Sequence, residues 1–174
     1  KSRELQLIGR NLEKNILKTL ARNLEKNREK YEKFWAEYGK SLKIGVYSGM
    51  MTGENNVDKL KDLLLFMSSK DGKLCTLKEY VSRMKDGQKK IYYATGKDKE
   101  AIEALPQMEM LRDRDIEVLC MTDPVDEFAV EAIREYDGKQ FHSISRGDLD
   151  LEDDAFKEEK KKNEDLAKNN EGLL

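Results

Sequence analysis

Three short apolar runs alternate with helical segments between residues 90 and 145, and this order restricts the fold more than any other feature of the chain. The runs span residues 91–95, 116–121 and 141–145. Their aromatic and β-branched residues are typical of buried strands. Helices are predicted from Asp98 to Arg112, with a break at Pro106, and from Asp123 to near Gly138. Because strands separated by helices are joined by right-handed crossovers, the pattern predicts a small, mainly parallel sheet covered by helices.

The first 40 residues follow a helical period instead. Their apolar residues fall three or four positions apart: Leu5, Ile8, Leu12, Ile16, Leu20 and Leu24, then Tyr31, Phe34, Trp35 and Tyr38. This spacing predicts amphipathic helices with a break near Asn27, which can cap a helix beginning at Arg28. The glycines of residues 45–55 predict a loop. A buried helix is predicted from Val57 to Met67, and residues 68–75 are predicted to be a turn-rich link.

Together these patterns predict an α/β fold in three parts. Residues 1–75 are predicted to be a helical connector that resembles an α-bundle. Residues 76–151 are predicted to be a small three-layer α/β/α sandwich, opened by a capping box at Thr76 and Glu79. Residues 152–174 are highly charged and predict a helix or linker exposed to solvent.

Composition excludes several classes of protein. Charged residues make up 39% of the chain, but the formal net charge is only −2, so the basic excess of a duplex nucleic-acid binder is absent. No apolar stretch approaches the roughly 18 residues that a membrane-spanning helix needs. Cys75 and Cys120 lie in apolar runs without metal-ligand spacing, which favours buried thiols in a reducing cytoplasm.

The strongest enzyme-like feature is the group Asp123, Asp126 and Glu127, which follows the second run of the predicted sheet. Carboxylates at the carboxyl end of a parallel strand could hold Mg²⁺ or accept a phosphoryl group, as in a receiver-like phosphoryl-transfer domain. The alternative is helix capping, because Asp123 suits the N-cap, Pro124 the first helical position and Asp126 the third. No phosphate-binding glycine loop and no HExxH motif occur, and we assign no catalytic or metal-binding residue.

One segment of the chain resembles a known family closely. From Leu77 to Gly96 the sequence is LKEYVSRMKDGQKKIYYATG. It is similar to a signature of the heat-shock protein 90 family, bacterial HtpG type, in the later part of the middle domain. The residues that match are Tyr80, Arg83, Met84, Lys85, Gln88, Ile91, Tyr92 and Tyr93. Further blocks agree at residues 11–14, 31–35, 123–128, 136–139 and 143–145, so the resemblance covers about residues 1–152.

The resemblance implies one piece of an ATP-driven chaperone that is a homodimer. ATP and Mg²⁺ would bind an amino-terminal domain of the longer protein, and this chain would need no cofactor. In this family a loop of the middle domain supplies an Arg that reaches the γ-phosphate of ATP. The sequence Ser2, Arg3 and Glu4 is similar to that loop. Alignment back from Leu12 places Arg3 beyond that loop, inside the following helix. We therefore expect no ATP hydrolysis by this chain alone.

The resemblance also implies a surface for client proteins, near the junction with the dimerisation domain. In bacterial relatives the matching helix presents an aromatic residue there, often Trp. Here the corresponding residues are Glu127, Phe128 and Glu131. An exposed aromatic ring beside carboxylates suits weak contact with many partly folded, often basic proteins. Two alternatives remain: Phe128 packs on the sheet, or the chain is a passive adaptor module.

Overall fold

The structure is a computed structural model that describes residues 2–146, so the charged segment predicted for residues 152–174 lies outside the described residues. The helices are α1 (Arg3–Lys26), α2 (Arg28–Thr52), α3 (Asn56–Leu60), α4 (Leu77–Ser82), α5 (Lys99–Glu103), α6 (Pro106–Asp113) and α7 (Pro124–Ile133). The strands are β1 (Phe66–Ser68), β2 (Leu74–Cys75), β3 (Lys90–Thr95), β4 (Leu119–Met121), β5 (Glu135–Tyr136) and β6 (Lys139–Ser143). A 3₁₀ turn (Lys61–Leu63) follows α3.

The six strands form one sheet in the order β2-β1-β4-β3-β6-β5. Its centre agrees with the sequence pattern, because β3 pairs in parallel with both β4 and β6. The prediction of a mainly parallel sheet is wrong, however, because β1, β2 and β5 are added in antiparallel pairings. Short hairpins explain the pairings of β1 with β2 and of β5 with β6, whereas β1 pairs with β4 through residues far apart in sequence. Between β5 and β6, Asp137 and Gly138 adopt φ values of 51° and 73°, as a two-residue hairpin turn requires.

Helix α7 is shorter than its sequence pattern indicated. It ends at Ile133 rather than near Gly138, and Arg134 has a φ of 66°, outside the helical region. The residues after Arg134 enter β5 instead. The hairpin signal at Asp137 and Gly138 was therefore the better guide to this segment than the helical pattern before it.

The helical connector differs from the prediction at its carboxyl end. The break at Asn27 is confirmed, and the Asn27 side chain accepts a hydrogen bond from the Lys30 amide. The predicted loop at residues 45–55 is wrong, because α2 continues through it to Thr52. Its glycines allow α3 to approach α2 closely: a Cβ on Gly49 would lie 2.7 Å from Cβ of Asn56. The Asn56 side chain also donates to the Gly45 carbonyl oxygen at 3.2 Å.

The predicted helix from Val57 to Met67 is also wrong. Helix α3 ends at Leu60, and the chain then enters β1 after the 3₁₀ turn. Residues 63–66 are all buried, as expected, but a short apolar run fits a buried strand as well as a buried helix. Strands β1 and β2 therefore lie before residue 76 and still belong to the sheet. The division of the chain at residue 75 stays a prediction.

Helices cover both faces of the sheet, as the predicted α/β/α sandwich requires. Alternation along β3 directs Ile91 and Tyr93 into one core, which includes residues of α2, α4 and α7. Tyr92 and Ala94 enter the other core, with residues of α5 and α6. In α1 only Leu20 and Leu24, the last two residues of the predicted apolar stripe, pack against the core, and residues such as Leu5 and Leu12 are exposed. Among residues 2–146, no helix combines the length and apolarity that crossing a membrane demands.

Candidate functional site

Helix α7 is held against α2 by a buried ion pair between Lys43 and Asp126. Both side chains are about nine-tenths buried. The Lys43 ammonium also lies 5.2 Å from the centre of the Trp35 ring and 4.7 Å from that of Phe66. The faces of aromatic rings attract a cation, and the attraction is stronger when the cation is buried away from water. The pair therefore fixes the position of α7 on the connector.

The amino-terminal end of α7 is capped as the sequence predicted. The Asp123 carboxylate accepts a hydrogen bond from the Val125 amide at 3.0 Å, and the Asp126 carboxylate accepts one from the Asp123 amide at 3.3 Å. The predicted capping is confirmed, and the two hydrogen bonds together form a reciprocal capping box. The hydrogen bond from Val125 is the main cause that lowers the pKa of Asp123 below its usual value of 3.8, and nearby Lys40 adds to it.

Cationic side chains also lie close to Asp123 and Glu127. Lys40 lies 3.4 Å from Asp123, and Arg146 lies 2.8 Å from Glu127. Across the described part of the chain, no cluster of three or more His, Cys, Asp or Glu residues is placed to hold a metal ion. Asp123 and Asp126 thus cap α7, as the capping interpretation predicted.

The exposed side of α7 brings together the three residues that the resemblance singled out. Phe128 is 46% exposed, and its ring lies 5.1 Å from the ring of Tyr47 on α2, at an angle of 42°. Glu127 is partly buried and Glu131 is exposed one turn further on. Phe128 therefore contacts α2 and solvent, and it is absent from both cores of the sheet. Binding of a client there stays a prediction.

The signature residues form a buried hydrogen-bond network around the Tyr80 hydroxyl. This hydroxyl donates to the Glu117 carbonyl oxygen at 2.7 Å and accepts from the Tyr92 amide and the Gln88 side chain, both at 3.1 Å. Burial is the main cause that raises the pKa of Tyr80 well above its usual value. Gln88 in turn donates to the Lys90 carbonyl oxygen at 2.9 Å. The network joins α4 to β3 and to the segment before β4.

Charged signature residues reinforce the same junction. Arg83 makes a bidentate contact with Glu117, at 3.0 and 2.6 Å, and this contact raises the pKa of Arg83 above its usual value. Ser68 of β1 donates to the same carboxylate at 2.5 Å. Lys85 pairs with Asp115 at 2.6 Å, and Met84 packs against the core. The signature therefore specifies structure in this domain.

The cysteines, the histidine and Arg3 all lie in positions that suit a structural role. Cys75 and Cys120 are free and buried, as predicted. Burial is the main cause that raises the pKa of the Cys75 thiol to about 12 and that of Cys120 to about 11. His142 packs edge to face on Tyr92. Arg3 lies in the first turn of α1, so the prediction that it falls inside a helix is confirmed.

Sequence reasoning missed two residues of this region, Lys43 and Tyr47. Tyr47 lies in the segment predicted to be a loop, so its helical spacing was not considered. Lys43 is one of many lysines in a highly charged chain, and nothing in its sequence neighbours indicated burial. The helical period from Leu42 to Met51 was the available signal for both.

Comparison with known proteins finds relatives along almost the whole chain. The family model described as Hsp90 protein matches residues 1–174. The chaperone protein HtpG of Oceanobacillus iheyensis is 48% identical over 165 residues, which are 95% of this chain and 26% of the relative. HtpG of Bacillus subtilis is 46% identical over 176 residues, or 99% of this chain and 28% of the relative. The chain spans about a quarter of the length of these curated relatives.

A solved structure agrees with the fold described above. It is the middle domain of a heat-shock protein of Plasmodium falciparum, and it superimposes with a TM-score of 0.73 at 27% sequence identity. The superposition covers 84% of this chain and 60% of that structure. The similarity therefore includes both the helical connector and the mixed sheet.

Proposed function

The chain belongs to the Hsp90 family, and on this premise we propose that it is a working part of a chaperone middle domain that binds partly folded proteins through Glu127, Phe128 and Glu131. The observation that carries the proposal is the exposed Phe128 ring beside carboxylates, on a helix that a buried ion pair holds in place. The chain itself contributes no catalytic group. ATP and Mg²⁺ act in the amino-terminal domain of the longer, cytoplasmic homodimer.

The chemistry of the surface suits clients with little fixed structure. An exposed aromatic ring gives a large apolar contact and needs no defined shape in its partner. The neighbouring carboxylates favour basic segments, because complementary charge speeds and orients association. Affinity at one such surface is expected to be low, and the dimer raises it by presenting two copies.

The second part of the proposal is mechanical. Helix α2 has 25 residues and is therefore about 37 Å long at 1.5 Å per residue. Its first turn is tied to α4 by Arg28, which lies 2.6 Å from Glu79, and its second half is tied to α7 through Lys43. Because α2 is fixed to α4 at one end and to α7 in its second half, it transmits movement of neighbouring domains to the Phe128 surface. Nucleotide-driven motion in the amino-terminal domain would reach the client in this way.

Replacing Phe128 by alanine is expected to weaken binding of an unfolded model protein about five- to tenfold, as for a central aromatic anchor. The probe is fluorescently labelled lysozyme that has been reduced and alkylated, and the measurement is fluorescence anisotropy with the 174-residue chain. Tyr38→Ala is the matched control, because Tyr38 is a comparably exposed aromatic residue of α2 outside the proposed surface. Unchanged affinity in a folded Phe128→Ala variant would remove Phe128 from the site.

A further inference from the structure

A groove of about 500 Å³ lies between the middle of α1 and Lys59 of α3. Leu17 and Ala21 of α1 supply its apolar floor, and the alkyl stems of the neighbouring lysines add to it. Neither Leu17 nor Ala21 belongs to a core of the sheet. The fold of residues 2–146 therefore leaves this apolar floor open.

The rim of the groove is cationic. Along α1 a basic residue recurs every four positions, at Arg10, Lys14 and Lys18, and Lys59 lies on the opposite side. Among the described residues the groove has one acidic side chain, Glu13, and Lys59 neutralises it at 2.9 Å. The ion pairs within residues 2–146 include neither Arg10, nor Lys14, nor Lys18. Three positive charges of the rim thus have no counter-charge in the described part of the chain.

The elements packed against α1 do not supply the missing negative charge. Helix α1 carries six basic and three acidic residues, and α2 carries five basic and three acidic ones. Helix α3 and the 3₁₀ turn after it carry two of each. Residues 2–63 together hold thirteen basic and nine acidic side chains, although the whole chain has a net charge of −2. The connector is therefore positive, and its groove attracts an acidic ligand.

The most acidic stretch of this chain, residues 148–159, has the matching composition. It lies beyond the described residues, and it holds seven Asp or Glu residues and a single Lys. Leu149, Leu151 and Phe156 lie among these charges. Carboxylates around a few apolar side chains complement cations around an apolar floor.

The groove and the end of the described chain lie beside the same part of α2. On one side Leu60, the neighbour of Lys59, packs at Gly45, where an added Cβ would lie 3.3 Å from Leu60 Cδ1. On the other side the Phe128 ring lies 5.1 Å from that of Tyr47. Little displacement along the axis of α2 therefore separates the two places.

The distance across α2 is short enough for the acidic stretch to cover. Arg146 lies 2.8 Å from Glu127 on α7. Packed helix axes are 8–10 Å apart, so the path from α7 across α2 to α1 is about 20 Å. An extended chain covers about 3.3 Å per residue, which lets residues 148–159 reach up to about 40 Å from Arg146.

We propose that residues 148–159 bind in the groove between α1 and α3, with Leu or Phe side chains on the apolar floor and carboxylates at Arg10, Lys14 and Lys18. The contact ties the first helix of the connector to the segment that follows the sheet. It uses no residue of the Phe128 surface and is therefore independent of client binding. Because its charges are exposed, it weakens as salt is added.

Paramagnetic broadening tests this contact in the ¹⁵N-labelled 174-residue chain. A nitroxide is attached at Ala155→Cys, because Cys75 and Cys120 are buried and burial raises the pKa of both thiols. The amide signals of residues 10–21 are expected to lose most of their intensity, whereas those of α5 and α6 keep theirs. About 1 M NaCl, at which the Debye length is about 3 Å, should restore the signals of residues 10–21.

Charge reversal identifies the residues that bind. Lys14→Glu combined with Lys18→Glu is expected to abolish the broadening of residues 10–21, and circular dichroism checks that the variant folds. Lys70→Glu combined with Arg112→Glu is the matched control, because these two cations are equally exposed but lie outside the groove. The control should broaden residues 10–21 as the wild type does.

A second reversal tests the pairing of charges. Adding Asp150→Lys and Asp153→Lys to the α1 variant should bring the broadening back. Full intensity at residues 10–21 in the wild type would overturn the proposal, as would unchanged broadening in the α1 variant. Broadening in a mixture of ¹⁵N-labelled chains without nitroxide and unlabelled chains with it would also overturn it, because the groove would then hold a segment of a second copy.

Discussion

Replacing Asp126 by alanine is expected to lower the free energy of unfolding by about 3–5 kcal/mol, because it leaves the Lys43 ammonium buried without its counter-charge. The variant also removes the acceptor for the Asp123 amide and so half of the capping box. Urea unfolding followed by circular dichroism gives the free energy. The loss should be among the largest of any single substitution in this chain, since most surface changes stay within about 0.5 kcal/mol.

Two further variants show whether the buried charge is the cause. Glu131→Ala on the same helix is the matched control, because Glu131 is exposed, and it should change stability by less than about 0.5 kcal/mol. Adding Lys43→Met to Asp126→Ala should restore part of the loss, because it removes the unpaired cation and leaves an apolar side chain against Trp35 and Phe66. A loss below about 1 kcal/mol in Asp126→Ala would show that the ion pair does not anchor α7.

Replacing Tyr80 by phenylalanine is expected to lower the free energy of unfolding by about 2–4 kcal/mol, although it removes a single oxygen atom. The hydroxyl is buried and makes hydrogen bonds to the Glu117 carbonyl, the Tyr92 amide and the Gln88 side chain. Without it, these groups stay buried with fewer partners, and each such group costs about 1–3 kcal/mol. Thermal and urea unfolding both measure the effect.

Tyr38→Phe is the control for the chemical change itself. Tyr38 is half-exposed, so its hydroxyl can bond to water in either state, and the expected change is within about 0.5 kcal/mol. If Tyr80→Phe is as mild as this control, the signature does not specify the junction of α4 with the sheet. The signature would then need another explanation, such as direct contact with a partner.

Much of the sheet could be predicted from the sequence, because its central strands follow simple local rules. A strand can be recognised from the apolar run that ends at Gly96. The starts of two helices can be recognised from their capping residues, Asp98 and Asp123. The structure places β3, β4 and β6 in parallel, as right-handed crossovers require. The strands at the edges were missed for two reasons: residues 57–67 and 123–138 were interpreted as helices, and β1 pairs with β4 through residues far apart in sequence.

The connector shows why glycine alone is a poor guide. Gly45 and Gly49 were interpreted as loop residues, yet they lie within α2 and allow Asn56 to approach its backbone. That interpretation hid the helical period from Leu42 to Met51, to which Tyr47 belongs. Leu64 and Leu65 gave the right burial but the wrong element, since an apolar run of four residues has no period.

The candidate site was predictable in part. Glu127, Phe128 and Glu131 came from the resemblance, and in the structure Phe128 and Glu131 are exposed on α7 while Glu127 beside them is partly buried. The α2 residues that contact α7 were not predictable, because Lys43 and Tyr47 approach α7 only through the packing of two helices distant in sequence. Their roles depend on distance and burial, which only the folded chain shows.

The central claim is that the surface around Phe128 on α7 binds partly folded proteins. The most direct measurement is a ¹H–¹⁵N correlation spectrum of the 174-residue chain, titrated with unlabelled, reduced and alkylated lysozyme. The account predicts that the largest shifts fall on residues 124–131 and on Tyr47, whose ring contacts Phe128, and that α5 and α6 on the opposite face of the sheet stay unchanged. Shifts centred on α5 and α6, or none at millimolar probe, would contradict it.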